Sequence, residues 1–225
     1  MSDWGLSKLL AWTSPSYPTG GFSYSRGLEW AVESGTVGGV KELIDYVTAI
    51  LTRGSAWVDA VLFVHAWQSL NSLAALDELS ARAAAFRGSV ETSLESCQQG
   101  KSFLEVTRKA WPHPALEAFA TRNSGAALSH SVAVAISCAA HGIDLLPALF
   151  SYLHSVAANL VSAGTRLIPL GQTDGQIAIA RLVPVVSQVC AEAQGTALDD
   201  LGTAAPLVEL CSLRHETQYT RLFRS

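Results

Sequence analysis

The chain has 225 residues, 49% of them apolar and only 15% charged, against about 25% charged in ordinary globular proteins. Fifteen basic and nineteen acidic residues leave a formal charge of −4, so there is no basic field to hold nucleic acid non-specifically. This length supports one domain with a substantial core, and so little charge requires helices covered on several sides, by one another or by other chains. Cys97, Cys138, Cys190 and Cys211 lie far apart without paired spacing, as expected of reduced thiols in a cytoplasmic protein and not of a disulfide framework.

The first ten residues carry an early acid, Asp3, and no unbroken apolar run, which argues against a signal peptide. Pro18-Thr19-Gly20-Gly21-Phe22-Ser23-Tyr24-Ser25 follows. Paired glycines after a proline allow a tight bend, and the aromatics and hydroxyls on it predict a fixed surface loop leading into a helix-forming run, Arg26 to Glu33. Val40, Leu43, Ile44, Val47, Ile50 and Leu51 recur at helical spacing after Gly38-Gly39. Ala56 to Trp67 is apolar apart from Asp59 and His65, the pattern of a core helix. Leu76, Leu79, Ala83, Phe86 and Val90 predict one further helix with a single apolar seam, its wet side carrying Asp77, Glu78, Arg82, Arg87 and Glu91.

Pro112 and Pro114 break the pattern, and a new helix is expected near Ala115. Gly142 reads as a helix stop, and Asp144 as the cap of a helix that tolerates Pro147 in its first turn. Thr173 and Gln176 have capping-box spacing, Pro184 predicts a kink and Gly195 an end. No alternating strand pattern appears. The fold expected is all-α, a single-domain bundle of roughly eight or more helices over residues 1–225.

Two stretches, Asn123–Ile143 and Leu145–Thr165, contain no Asp, Glu, Lys or Arg and have the length a bilayer requires. Interspersed serines, histidines and Asn159 dilute them, so buried bundle helices are the preferred reading; a membrane-associated helical hairpin is the alternative.

Chemical motifs are incomplete. Gly100-Lys101-Ser102 resembles the end of a phosphate loop, but the position where that loop needs its first glycine is Glu95. Gly21 to Ser25 brushes against a nucleophile elbow without its second glycine. Cys138 and His141 share a helix face, while His130 lies about 12 Å further along the axis. With no third ligand named, the expectation is a buried thiol beside a histidine bonded to a backbone carbonyl, and no metal site. No carboxylate pair or nucleophile–histidine set emerges; a helical enzyme using His130 or His141 in a buried pocket is the other alternative.

Two polar segments remain. Arg166 ends a long uncharged helix, where a cation suits the dipole, and Gln172 and Gln176 offer amides beyond Gly171. From Ser212 to Ser225, Arg214, His215, Tyr219, Arg221, Phe223 and Arg224 interleave cations with rings, an interface composition. This tail, about residues 212–225, is expected to be flexible and to bind another protein; the alternative folds it back on the acidic body.

Together, Pro18–Ser25 with Gly27-Leu28-Glu29-Trp30-Ala31-Val32-Glu33, Arg166-Leu167-Ile168-Pro169-Leu170-Gly171-Gln172, and the run from Asp200 through Ser225 resemble the urease accessory protein UreF family over essentially the whole chain. The resemblance implies a cytoplasmic, all-α homodimer that is a chaperone and not an enzyme. It would bridge a scaffold accessory protein (UreD, also called UreH) and the GTPase UreG on apo-urease, with nickel passing in transit and no stably bound cofactor. By matching position it implies a scaffold-binding role for Arg214, His215, Tyr219, Arg221 and Arg224. It also implies a dimer or GTPase surface from Gly20, Gly21, Phe22, Tyr24, Arg166, Gly171 and Gln172.

Overall fold

A computed structural model describes residues 3–225, and every regular element among them is helical. In chain order these are α1 (Asp3–Trp12), α2 (Leu28–Glu33), α3 (Val40–Arg53), α4 (Ser55–Gln68), α5 (Leu73–Ala85), α6 (Val90–Ala110) and α7 (Pro114–Arg122). Then follow α8 (His130–Ala140), α9 (Leu145–Leu167), α10 (Gln172–Gly195) and α11 (Pro206–His215), with short 3₁₀ turns at Gly21–Ser23 and Leu198–Asp200.

Helix α4 is the centre of the bundle. Ala56, Val58, Ala60, Val61, Leu62, Phe63 and Val64 are all buried, because α3, α5, α8, α9 and α10 surround it. Helix α8 is covered in the same way from Ser131 to Cys138. Two helices with no wet face account for the low charge of the chain. The closest approaches use missing side chains. A Cβ on Gly100 in α6 would lie 2.2 Å from the carbonyl oxygen of Leu128, so this glycine sets the α6–α8 spacing and does not cradle phosphate.

Several stop signals act where the sequence places them. Gly142 has φ +66° just after α8, Asp144 is the N-cap residue of α9, Pro114 opens α7 and Gly195 ends α10. The start of α10 differs from the expected Thr173–Gln176 box: Gly171 is the N-cap residue, and the carboxylate of Asp174 at N3 accepts its N–H at 3.0 Å. Helix α10 continues through Pro184. The seam predicted from Leu76 to Val90 is in fact two helices, because Ser89 caps α6 reciprocally with Thr92 and leaves Val90 exposed.

Val40–Gln68, Leu145–Leu167 and Gln172–Gly195 are long and apolar enough to cross a membrane by length and composition. The first is α3 and α4 in succession, separated at Gly54.

The turn entering α2 is another tight junction. Arg26 and Gly27 both adopt positive φ, 51° and 77°, and a Cβ on Gly27 would lie 2.5 Å from the Ser212 nitrogen in α11. Gly35 has a similar φ of +75° with open space around it. Gly27→Ala is therefore expected to lower unfolding free energy by about 2–4 kcal/mol in urea titrations, combining strain with a backbone clash. Gly35→Ala, with the strain alone, should cost about 1–2 kcal/mol; equal losses would show that the α2–α11 approach is not tight.

Candidate functional site: a buried ion network under a loop-and-tail surface

Asp59 carries a carboxylate into the middle of α4, with 1% of its surface exposed. Arg87, from the turn between α5 and α6, places Nη2 2.7 Å from Oδ1, and Arg26 places its own Nη2 3.7 Å from Oδ2. The Ser131 hydroxyl donates to Oδ1 at 2.9 Å. Burial alone raises the Asp59 pKa, but Arg87 and Arg26 more than reverse this and hold it below the usual carboxylate range. Arg26 reaches further: Nε donates to Glu95 Oε1 at 3.0 Å and Nη1 to Ser55 Oγ at 3.2 Å. Glu95 also accepts from Gln99 at 3.2 Å and, on Oε2, from the Ser225 hydroxyl at 3.0 Å. Two arginines and two carboxylates cancel, and the last residue of the tail is tied to the set.

The tail does not hang free. His215 is fully buried between two carboxylates, Nε2 3.0 Å from Glu29 and Nδ1 2.6 Å from Glu91. Glu29 also accepts the backbone N–H groups of Leu222 at 2.6 Å and Phe223 at 2.9 Å. Arg221 pairs with Glu91 at 2.7 Å, Gln218 bonds Glu33, and Phe223 is buried. Acids on α2 and α6 thus supply the partners that residues 212–225 were expected to find elsewhere, and His215 has no surface to offer another protein.

The opening loop closes over the same region. Gly20 at φ +76° starts the 3₁₀ turn, Arg224 donates its N–H to Ser23 O at 2.8 Å, and the Ser25 N–H and hydroxyl both donate to Ser225 O. Arg166, at the end of α9, donates to the Phe22 carbonyl at 3.0 Å and holds its guanidinium 4.5 Å from the Phe223 ring centroid. Tyr24 turns inward, its hydroxyl on Gln98. The structure therefore brings together Gly20, Gly21, Phe22, Tyr24, Arg166 and the tail. Gly171 and Gln172 open α10, and no hydrogen bond among the described residues joins them to the loop or tail. Phe22, Tyr219 and Leu222 stay exposed, beside the exposed Arg166, Arg214, Arg221 and Arg224.

Below the loop is a cavity of about 20 Å³ lined in part by Gly21, Tyr24, Arg26, Glu95, Gln99, His130 and Asn159, far smaller than a metabolite site. Among the described residues no group of three or more His, Cys, Asp or Glu is arranged to hold a metal ion. Cys138 is buried and burial pushes its thiol pKa up. His141 Nε2 donates to the Trp111 carbonyl at 3.2 Å, and Nδ1 accepts from Lys8 at 3.0 Å.

Sequence reasoning missed Arg26, Asp59, Arg87 and Glu95 as a set, and placed Arg87 on a wet face. The available signal was a lone Asp59 in an otherwise apolar run.

Burial, opposed by Asp59 and reinforced by Arg26 and Arg87, pushes His130 down from 6.5 to about 4. Between those values the unfolded chain binds a proton that the folded chain refuses, so stability falls as pH drops through this window, by about 2–3 kcal/mol. Urea unfolding at pH 7 and pH 4.5 should show this loss, reduced in His130→Phe; the same slope in both proteins would contradict the assignment.

The UreF family model matches residues 37–183, a span that includes Arg166, Gly171, Gln172 and most of the ion network but leaves out the loop and tail. Full-length relatives cover those as well. The urease accessory protein UreF of Granulibacter bethesdensis is 48% identical over 225 residues, covering 99% of this chain and 95% of that protein. Those of a Bradyrhizobium species and of Rhodopseudomonas palustris are each 47% identical, covering 98% of this chain and 92% and 91% of their own lengths. The chain belongs to the UreF family of urease accessory proteins.

Proposed function

We propose that this protein is a non-catalytic, cytoplasmic chaperone of urease maturation. It acts as a homodimer that bridges the scaffold protein UreD/UreH and the GTPase UreG on apo-urease, so that GTP hydrolysis accompanies nickel insertion. Nickel is cargo in this reading and not a resident cofactor. The observation that carries it is the convergence of loop, Arg166 and tail on one locked surface, where Phe22, Tyr219 and Leu222 are exposed. Exposed aromatics with arginines around them are the composition of binding hot spots. A second surface suits the dimer or the GTPase: Ile177 and Val183 are exposed along α10 beyond Gly171 and Gln172.

The carboxylates of the ion network are bonded to arginine, hydroxyl and amide donors, and the adjoining cavity has no room for a substrate. That polar cluster supports a structural role over chemistry.

Removing the chain from Arg214 onward would unpair the buried Glu29, so it cannot separate surface from fold. Tyr219→Ala with Leu222→Ala removes exposed side chains only. In co-purification with the scaffold protein this double variant should weaken recovery at least about tenfold, or 1.4 kcal/mol, with an unchanged melting temperature. Undiminished recovery would contradict the tail assignment.

A further inference from the structure

We propose that the cavity beneath the Gly20–Tyr24 loop is a binding site for a single water molecule, and that it rejects divalent cations. Its volume of about 20 Å³ exceeds the roughly 10–15 Å³ that one water requires, and is too small for a larger ligand. A water also needs two to four polar partners, and the walls supply them. His130 Nε2 is shut off from solvent and has no protein partner, although His130 lines the cavity. The Gln99 and Asn159 amides converge at the roof. A Cβ on Gly21 would lie 3.1 Å from Asn159 Nδ2 and 3.4 Å from Gln99 Oε1, so glycine leaves room for both amide heads, and Gln99, whose Nε2 donates to Glu95, keeps its Oε1 as an acceptor. An orphaned buried nitrogen costs about 1–3 kcal/mol, and a bridging water removes that cost.

The charges decide against an ion. Within the network the side chains of Arg26 and Arg87 are matched by those of Asp59 and Glu95. Glu95 accepts from Arg26 and Gln99 on one oxygen and from Ser225 on the other, which leaves about one of its four acceptor sites for a metal. The Arg26 guanidinium itself lines the cavity and repels a cation. A neutral molecule that both donates and accepts matches a neutral imidazole facing two amides. The assignment is independent of the chaperone reading, and places any route taken by nickel outside this cavity.

The test is a crystal structure of the full chain from nickel-free and nickel-soaked crystals, with data collected at the nickel absorption edge. One density peak at hydrogen-bond distance from His130 Nε2, about 2.7–3.2 Å, without anomalous signal, is the expected result. Empty density, a peak larger than one water, or an anomalous nickel peak would overturn it. In solution, magnetic relaxation dispersion should count one fewer long-lived water in His130→Phe than in the parent, with the helical circular dichroism retained. An unchanged count would equally overturn the proposal, and if the variant lost its helicity the crystallographic result alone would decide.

Discussion

Asp59 lies on the central helix of the bundle, and the rest of the architecture answers the need to neutralise it. A carboxylate in such surroundings is costly unless paired and hydrogen-bonded. One cation comes from Arg26, which adopts φ +51° to aim inward, and the other from Arg87, in the turn between α5 and α6. Neither is a neighbour in sequence, so each pairing fixes a long-range junction. Replacing buried ion pairs by apolar groups is often neutral for stability, whereas removing one partner costs about 3–5 kcal/mol. The value of this network lies in position: it sets the turn into α2 and the α5–α6 corner and, through Glu95, the end of the tail.

That placement joins three segments far apart in sequence into one surface. The tail is anchored by Glu29 and Glu91 around His215, the loop is bonded to the tail backbone at Ser23 and Ser25, and Arg166 stacks on Phe223 while holding Phe22. A partner meeting Phe22, Tyr219 and Leu222 would then find them already ordered, and less of the binding energy goes to immobilising chain. The protein needs no reactive centre for this. Its polar interior holds shape, and its exposed rings and arginines face outward.

Much of this was legible in the sequence. Helical periodicity, the proline break at Pro112 and Pro114, and the stops at Gly142 and Gly195 all act locally, and local chemistry is what a sequence displays directly. The seam from Leu76 to Val90 misled because its spacing in threes and fours runs on across Gly88 and Ser89, where the capping bonds of Ser89 end the register. The loop, Arg166 and tail stood out by composition, yet composition could not show that they touch. His215 was misassigned for a related reason: among arginines and aromatics it reads as interface, and only the folded chain brings Glu29 and Glu91 to its two sides. The ion network was hidden because its members are spread from residue 26 to residue 95 and most look like ordinary surface charges.

The central claim is that this network couples loop and tail to the core, and native-state hydrogen exchange in Glu95→Gln tests it most directly. The substitution keeps the shape but removes the charge facing Arg26. The amides of Ser25, Phe223 and Arg224 should lose protection together, by about tenfold or more, while amides of α8 and α10 keep theirs. Protection of either segment equal to that of the parent protein would contradict the account.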